Sequence, residues 1–259
     1  MSRFGNLELG GENEDFSRDD QHSQLKGGSQ YLADAHAAFE NGEFETALRR
    51  YSKVLEYEPG NAAAWTGQVR MLIELGEFRE AQLWADKALE KFPTEPELLA
   101  AKAVALARSG DLQGALAFSD SSIEERGDTP YIWLARGDVL LARKESRADY
   151  CFEKAMSISP KDWFVTWLAS RIRYYYKQFA LALKLIQQAV EWNASHFLVW
   201  LELGRCQQAL GLVGPARNSY AQAKQLNPQC WAVGEALAGL ADVGPWSRFC
   251  GALRQLFKR

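Results

Sequence analysis

The stretch "WLELGRCQQALGLVGPARNSYAQAKQLNP" (Trp200–Pro228) combines one Trp, small residues at regular intervals and a closing Pro. A single helix needs no such combination. Searching the chain for self-similarity shows why it is there. The segments "ETALRRY", "REAQLWA", "QGALAFS", "RADYCFE", "LALKLIQ" and "GPARNSY" each carry an alanine, at Ala47, Ala81, Ala115, Ala148, Ala182 and Ala216, spaced by 34, 34, 33, 34 and 34 residues. A second frame runs through Tyr31, Trp65, Leu99, Trp133, Trp167 and Trp200 at intervals of 34, 34, 34, 34 and 33. Two independent frames share one period.

Each unit divides into two segments with apolar residues at helical spacing, as in Trp65, Val69 and Leu72 followed by Ala81, Ala85 and Ala88. Glycine stands five residues before the marker alanine at Gly42, Gly76, Gly110 and Gly211, where a residue free to take positive φ ends a helix tightly. Proline closes the second segment at Pro59, Pro93, Pro160 and Pro228. In the fourth and fifth units the Trp-to-Ala interval shortens from 16 to 15, and Lys144 and Lys177 replace the glycine. A turn one residue shorter is expected there.

These residues resemble the tetratricopeptide repeat: an aromatic, a Leu-Gly pair, a small residue opening the second helix, an aromatic four later and a final Pro. The sixth unit carries the pattern most completely, in Trp200, Leu203, Gly204, Ala216, Tyr220, Ala223 and Pro228. The first keeps Tyr31, Ala47, Tyr51 and Pro59; the fourth keeps Trp133, Gly137, Ala148, Phe152, Ala155 and Pro160. In the third, Ser119, Ser122 and Gly127 depart from it. The resemblance implies an all-α fold, a right-handed α-solenoid of antiparallel helix pairs with six such units over about residues 30–60, 61–94, 95–128, 129–161, 162–195 and 196–228. Residues 1–29 read as a disordered acidic arm whose one apolar cluster is "FGNLEL" (Phe4–Leu9), a docking peptide for a partner or for the protein's own groove. Residues 229–259 read as a degenerate seventh unit or basic capping helix, Cys250 falling 34 residues after Ala216.

Composition narrows the function. With 259 residues, 47% hydrophobic and 24% charged, the chain can bury a large core; a formal net charge of -3 argues against a general nucleic-acid binder. Cys151, Cys206, Cys230 and Cys250 form no CxxC pair and lie far from His22, His36 and His196, so neither a zinc site nor a disulfide framework is expected. No apolar run reaches signal-peptide or membrane-span length, and a cytoplasmic location follows as the expectation. GxSxG, GxxxxGK[ST] and HExxH are all missing, so the reading is of a non-enzymatic protein with no cofactor and no metal.

What remains is recognition. The resemblance implies a scaffold or adaptor that holds an extended peptide or helix of a partner protein on the first helices of its units. If the family's geometry holds, that wall includes Leu32 and His36, Thr66, Arg70 and Glu74, Val104 and Arg108, Leu134 and Asp138, Leu168 and Tyr175, and Leu201 and Arg205. Leu32 and His36 stand where some family members carry a Lys and Asn clamp for a C-terminal carboxylate, so that clamp is expected to be missing. The fifth unit gathers Trp163, Phe164, Trp167, Tyr174, Tyr175 and Tyr176 around Arg171, Arg173 and Lys177, side-chain types enriched at binding hot spots. Arg70, Arg108, Asp138, Arg171, Tyr175 and Arg205 are the candidate groove residues, and an acidic or aromatic partner segment is the expected occupant. Two other functions stay open. Trp246, Arg248, Phe249, Arg254, Phe257 and Lys258 could lay a basic amphipathic C-terminus on a membrane, the protein then linking a filament or secretion component to it peripherally. Alternatively the chain is an accessory subunit of an enzyme complex.

Overall fold

The computed structural model describes residues 28–125 and 128–241, and these form thirteen α-helices with no strand among them. They are α1 (Gly28–Glu40), α2 (Phe44–Tyr57), α3 (Ala62–Glu74), α4 (Phe78–Lys91), α5 (Pro96–Ser109), α6 (Leu112–Glu124), α7 (Pro130–Ala142) and α8 (Ala148–Ile158), then α9 (Trp163–Tyr175), α10 (Phe179–Trp192), α11 (Phe197–Ala209), α12 (Val213–Leu226) and α13 (Trp231–Ala241). The chain divides into two compact units at Ile158, the first holding α1–α8 and the second α9–α13. In each, every helix packs on the next, and first helices of neighbouring pairs also touch: α3 on α5 and α5 on α7 in one unit, α9 on α11 in the other. This is the architecture of an α-solenoid, built from helix pairs that bury their apolar faces on their neighbours.

Six turns of one kind make the pairs. After α1, α3, α5 and α11 the chain takes positive φ at Gly42 (71°), Gly76 (81°), Gly110 (101°) and Gly211 (79°); after α7 and α9 it does so at Lys144 (61°) and Lys177 (59°). In all six the positive-φ N–H donates to the carbonyl three residues back and the next N–H to the carbonyl five back from itself, as in Glu43 to Ala38 and Gln178 to Arg173. The lysines thus do the work of the glycines in a left-handed conformation that costs an L-residue about 1 kcal/mol or more. The missing residue of the fourth and fifth units is lost in two different places. In the fourth, α8 starts at its marker Ala148, whereas α2, α4, α6, α10 and α12 each start three residues before theirs. In the fifth, α9 ends one residue earlier relative to Trp167 than α7 does relative to Trp133. Prolines 59, 93, 160 and 228 each stand two residues beyond the last residue of a second helix.

Small residues meet large ones where helices cross. A Cβ at Gly204 would lie 2.4 Å from the Tyr220 ring, one at Gly67 would lie 2.4 Å from Tyr51, and one at Gly137 would lie 2.9 Å from Phe152. Ala47, Ala81, Ala115, Ala148, Ala182 and Ala216 are all fully buried. The third pair, whose serines break the sequence pattern, packs by another route. Ala100, Ala101, Ala103, Ala105 and Ala107 are buried along α5, and the buried Ser122 Oγ donates to the Pro96 carbonyl at 2.8 Å. Arg136 of α7 donates to Ser119 Oγ at 3.2 Å and to Asp120 at 2.7 Å. Hydrogen bonds replace the expected apolar contacts. Residues 229–230 precede α13, and the arm over 1–27 and the basic end over 242–259 lie outside the described residues.

Candidate binding surfaces of the two units

The resemblance placed one side chain from each turn of the first helices on an open wall, but the structure covers much of that row. Thr66, Val104, Leu134, Leu168 and Leu201 are all buried. Shielded from solvent in this way, they do not present an open surface to a partner. The candidates beside them differ sharply between the two units.

In the first unit the arginines meet the protein's own groups. Arg70 of α3 lies over the ring of Tyr131 at 3.7 Å and faces Phe39 at 4.9 Å, a cation held between two aromatic faces. Arg108 of α5 donates through Nη2 and Nε to Asp138 Oδ2 of α7 at 2.6 and 3.1 Å; the two side chains are 8% and 1% exposed. Desolvation on that scale is tolerable only when the ions are closely paired. Arg108 and Asp138 therefore tie α5 to α7, and any partner would meet this pair already assembled. Around Arg70, the Tyr51 hydroxyl and His36 Nδ1 share a 3.2 Å hydrogen bond. Burial, assisted by Arg70, lowers the His36 pKa, and burial pushes the Tyr51 hydroxyl up to about 12. Burial likewise pushes the Tyr131 hydroxyl well above its ordinary value. The cluster is neutral apart from its arginines and carboxylates at physiological pH.

The second unit is more open. Tyr175 at the end of α9 is 44% exposed and meets Tyr176 edge-on at 5.0 Å. Arg205 of α11 has a side chain 35% exposed and reaches Glu202 at 3.4 Å. Arg171 lies 4.9 Å over the Trp167 ring, and Arg173, in contrast, is buried and donates to Gln178 at 2.7 Å. Trp167 leads into a run of rings that joins α9 to α11. Phe164 stacks on Trp167 at 5.4 Å, Trp163 meets Phe164 at 5.5 Å, His196 stacks on Trp163 at 4.4 Å, and Phe197 stacks on His196 at 5.4 Å. His196, which caps α11 through Nδ1, was not among the sequence candidates; the signal for it was its place four residues ahead of the frame in the sixth unit, matching the aromatic Trp163 four ahead of it in the fifth. Burial lowers the His196 pKa and, with Glu202, pushes the Cys206 thiol up to about 12, so neither is a charged or nucleophilic group near neutral pH.

Among the described residues, no group of three or more His, Cys, Asp and Glu could hold a metal ion. Nor is any described helix long and apolar enough to cross a membrane. The membrane candidates Trp246, Arg248, Phe249, Arg254, Phe257 and Lys258 lie outside the described residues.

Residues 38–105 match the family model described as tetratricopeptide repeat, and they span α2, α3, α4 and most of α5. The matched stretch consists of tetratricopeptide repeats. Solved structures share the fold of the chain. TTC0263, a tetratricopeptide-repeat protein from Thermus thermophilus, is 14% identical with a TM-score of 0.51, covering 83% of this chain and 99% of its own. The human IFIT1 dimer with m7Gppp-AAAA is 16% identical with a TM-score of 0.51, covering 86% of this chain and 58% of its own. At these identities the likeness is one of fold. No curated protein matches the chain. Tetratricopeptide-repeat proteins bind other proteins or peptides, and the fold here is that of a protein interaction scaffold.

Proposed function

We propose that this tetratricopeptide-repeat protein is a non-enzymatic adaptor that holds an extended peptide or helix of a partner on the first-helix face of its second unit, where α9 and α11 meet. The observation that carries this reading is the exposed Tyr175 together with the half-buried Arg205 and Arg171, residue types that dominate binding energy at interfaces. The stacked rings from Trp167 to Phe197 keep the face rigid, so little side-chain entropy is lost on binding. Cationic and aromatic groups together favour a segment bearing carboxylates and aromatic or aliphatic side chains. In the first unit, Arg70 offers a partner only the edges of a guanidinium already stacked on Tyr131, and Arg108 with Asp138 is part of the scaffold.

The test is affinity capture with cross-linking mass spectrometry, comparing wild type with Arg171→Ala/Tyr175→Ala/Arg205→Ala. Selective loss of one partner with helical circular dichroism intact supports the reading. Retention of every partner by the triple variant would overturn it.

A further inference from the structure

The last described helix lacks the cover that inner first helices have. α3, α5, α7 and α11 bury nine, eight, eight and seven of their residues, and each packs between two second helices. α13 packs on α12, and over residues 231–240 it buries only Val233 and Leu240. Trp231 is 76% exposed, more than any other large apolar side chain among the described residues. Ala238 is exposed too, whereas Gly204, 34 residues before it, is buried against the Tyr220 ring of its pair's second helix. The bare side of α13 is thus the side on which a second helix lies in the pair before it. Nor can α13 itself end the solenoid in water, because a terminal helix needs a polar outer face and α13 holds one charged residue, Glu235, in eleven.

The residues that continue directly from α13 have the pattern needed to cover it. Cys250, Leu253 and Phe257 fall 34 residues after Ala216, Ser219 and Ala223, three of the four residues that α12 buries. Each is larger than its counterpart, while Gly234, Ala236 and Gly239 of α13 are smaller than Trp200, Glu202 and Arg205 of α11, so bulk passes from the first helix to the segment after it. Trp246, Phe249 and Leu256 extend the same apolar face at helical spacing. Just ahead stand Gly244, free to take the positive φ that joins the other pairs, and Pro245, suited to the first turn of a helix. We propose that residues 246–258 form the second helix of a seventh pair and dock on the bare side of α13, leaving Arg248 and Lys258 in water. The inference goes beyond the adaptor reading and does not depend on it. Thirteen residues match the second helices of 11 to 14 residues elsewhere in the chain. A short tether to α13 raises the local concentration of the segment to about the millimolar range, so even a weak contact covers the face. Its apolar residues are then occupied within the chain and are not offered to a membrane.

The experiment keeps the full chain. Hydrogen exchange is read by mass spectrometry on peptides covering α13 and residues 246–258, at two protein concentrations and without lipid. Both peptides are expected to exchange more slowly than an unfolded chain by about tenfold or more, equally at the two concentrations. Leu253→Asp with Phe257→Asp should remove that protection from both peptides together and leave α9 and α10 as in wild type, which shows that the unit still folds. Leu253→Ala should act in the same direction by a smaller factor, and Arg248→Ala should change neither peptide. Exchange over 246–258 at the unfolded rate in the wild-type chain overturns the proposal. So does protection that appears only at the higher concentration, which would make a second copy the cover of α13, or only with vesicles containing phosphatidylserine, which would make a membrane the cover. Protection of 246–258 that is lost in the paired variant while α13 stays unchanged would place that helix elsewhere and overturn the docking.

Discussion

Substituting alanine for glycine should have opposite signs at three helical positions of this chain. At Gly204 the new Cβ falls 2.4 Å from the Tyr220 ring, against the 3.5–4.0 Å or so of ordinary carbon contact. The ring would have to move by about 1 Å, and it has little freedom: Tyr220 is fully buried, and its hydroxyl donates to Gln208 at 2.7 Å. Overpacking of this kind costs about 1–3 kcal/mol, against a helix-propensity gain of up to about 1 kcal/mol for removing glycine. The net is a loss of about 1–2 kcal/mol. At Gly137 the clash is with the ring edge of Phe152 at 2.9 Å, and cost and gain nearly cancel. At Gly234 in α13 the nearest atom is Lys224 Nζ at 4.0 Å, so only the propensity gain remains, about 0.5–1 kcal/mol of added stability. Urea unfolding followed by circular dichroism, with hydrogen exchange to resolve the helices of a repeat protein, gives the ranking. The order expected is Gly234→Ala, wild type, Gly137→Ala, Gly204→Ala. A Gly204→Ala chain as stable as Gly234→Ala would refute the packing argument. In addition, Tyr220→Leu should cost less in the Gly204→Ala background than in wild type, the coupling expected of residues in contact.

Four further outcomes follow from features of the same pairs. Arg108→Ala removes the guanidinium from a carboxylate only 1% exposed and should cost about 3 kcal/mol, whereas Arg108→Met with Asp138→Leu should stay near wild type; equal losses from both would show that the pair is not what joins α5 to α7. Lys144→Gly and Lys177→Gly should each stabilise by about 0.5–1 kcal/mol in thermal unfolding, strain relief at positive φ outweighing the entropy of glycine; a fall in the midpoint would mean that the lysine side chains matter more than their backbone. Ala216→Leu, at a fully buried site, should lose about 1–3 kcal/mol, and an unchanged midpoint would sink the assigned register. The Cys206 thiol, raised in the folded state, and the Tyr51 hydroxyl, raised likewise, favour folding at neutral pH by staying protonated. That stability should be lost between about pH 9 and 12 as the folded pKa values are passed, which denaturant midpoints against pH would show, and Cys206→Ala should flatten the curve.

The repeat was legible because its signals are local. A helix pair needs a small residue facing a large one, a residue tolerant of positive φ and a residue that stops the second helix, and each recurs at a fixed offset in Gly204 with Tyr220, Gly211 and Pro228. The candidate binding residues were legible only in part, because what a side chain meets depends on other pairs. Arg108 and Asp138 read as two separate wall positions 30 residues apart, yet they form one ion pair. Arg70 and Tyr131 are 61 residues apart, and nothing in either unit's own spacing announces that they stack. The alanines of α5 hold a related lesson: the repeat pattern did not single them out, yet they are buried in a helix that packs on both α3 and α7, where larger residues would hold helices further apart. In the fifth unit the concentration of aromatic residues did point to the exposed Tyr175, while half of those rings serve the stack instead.

The positive-φ residue between paired helices has a consequence for how such a chain changes length. In a continuous helix, deleting one residue rotates everything downstream by about 100° and turns its buried face to water. Here each helix is restarted after a left-handed residue, so the phase is set afresh at every turn. The fourth pair has lost a residue on the far side of Lys144 and the fifth on the near side of Lys177, yet Ala148 and Ala182 are both fully buried. An error of register is confined to the pair in which it arises. Insertions or deletions placed beside these six residues are therefore the ones the fold can absorb, and a change of the same size inside α5 or α9 is one it cannot.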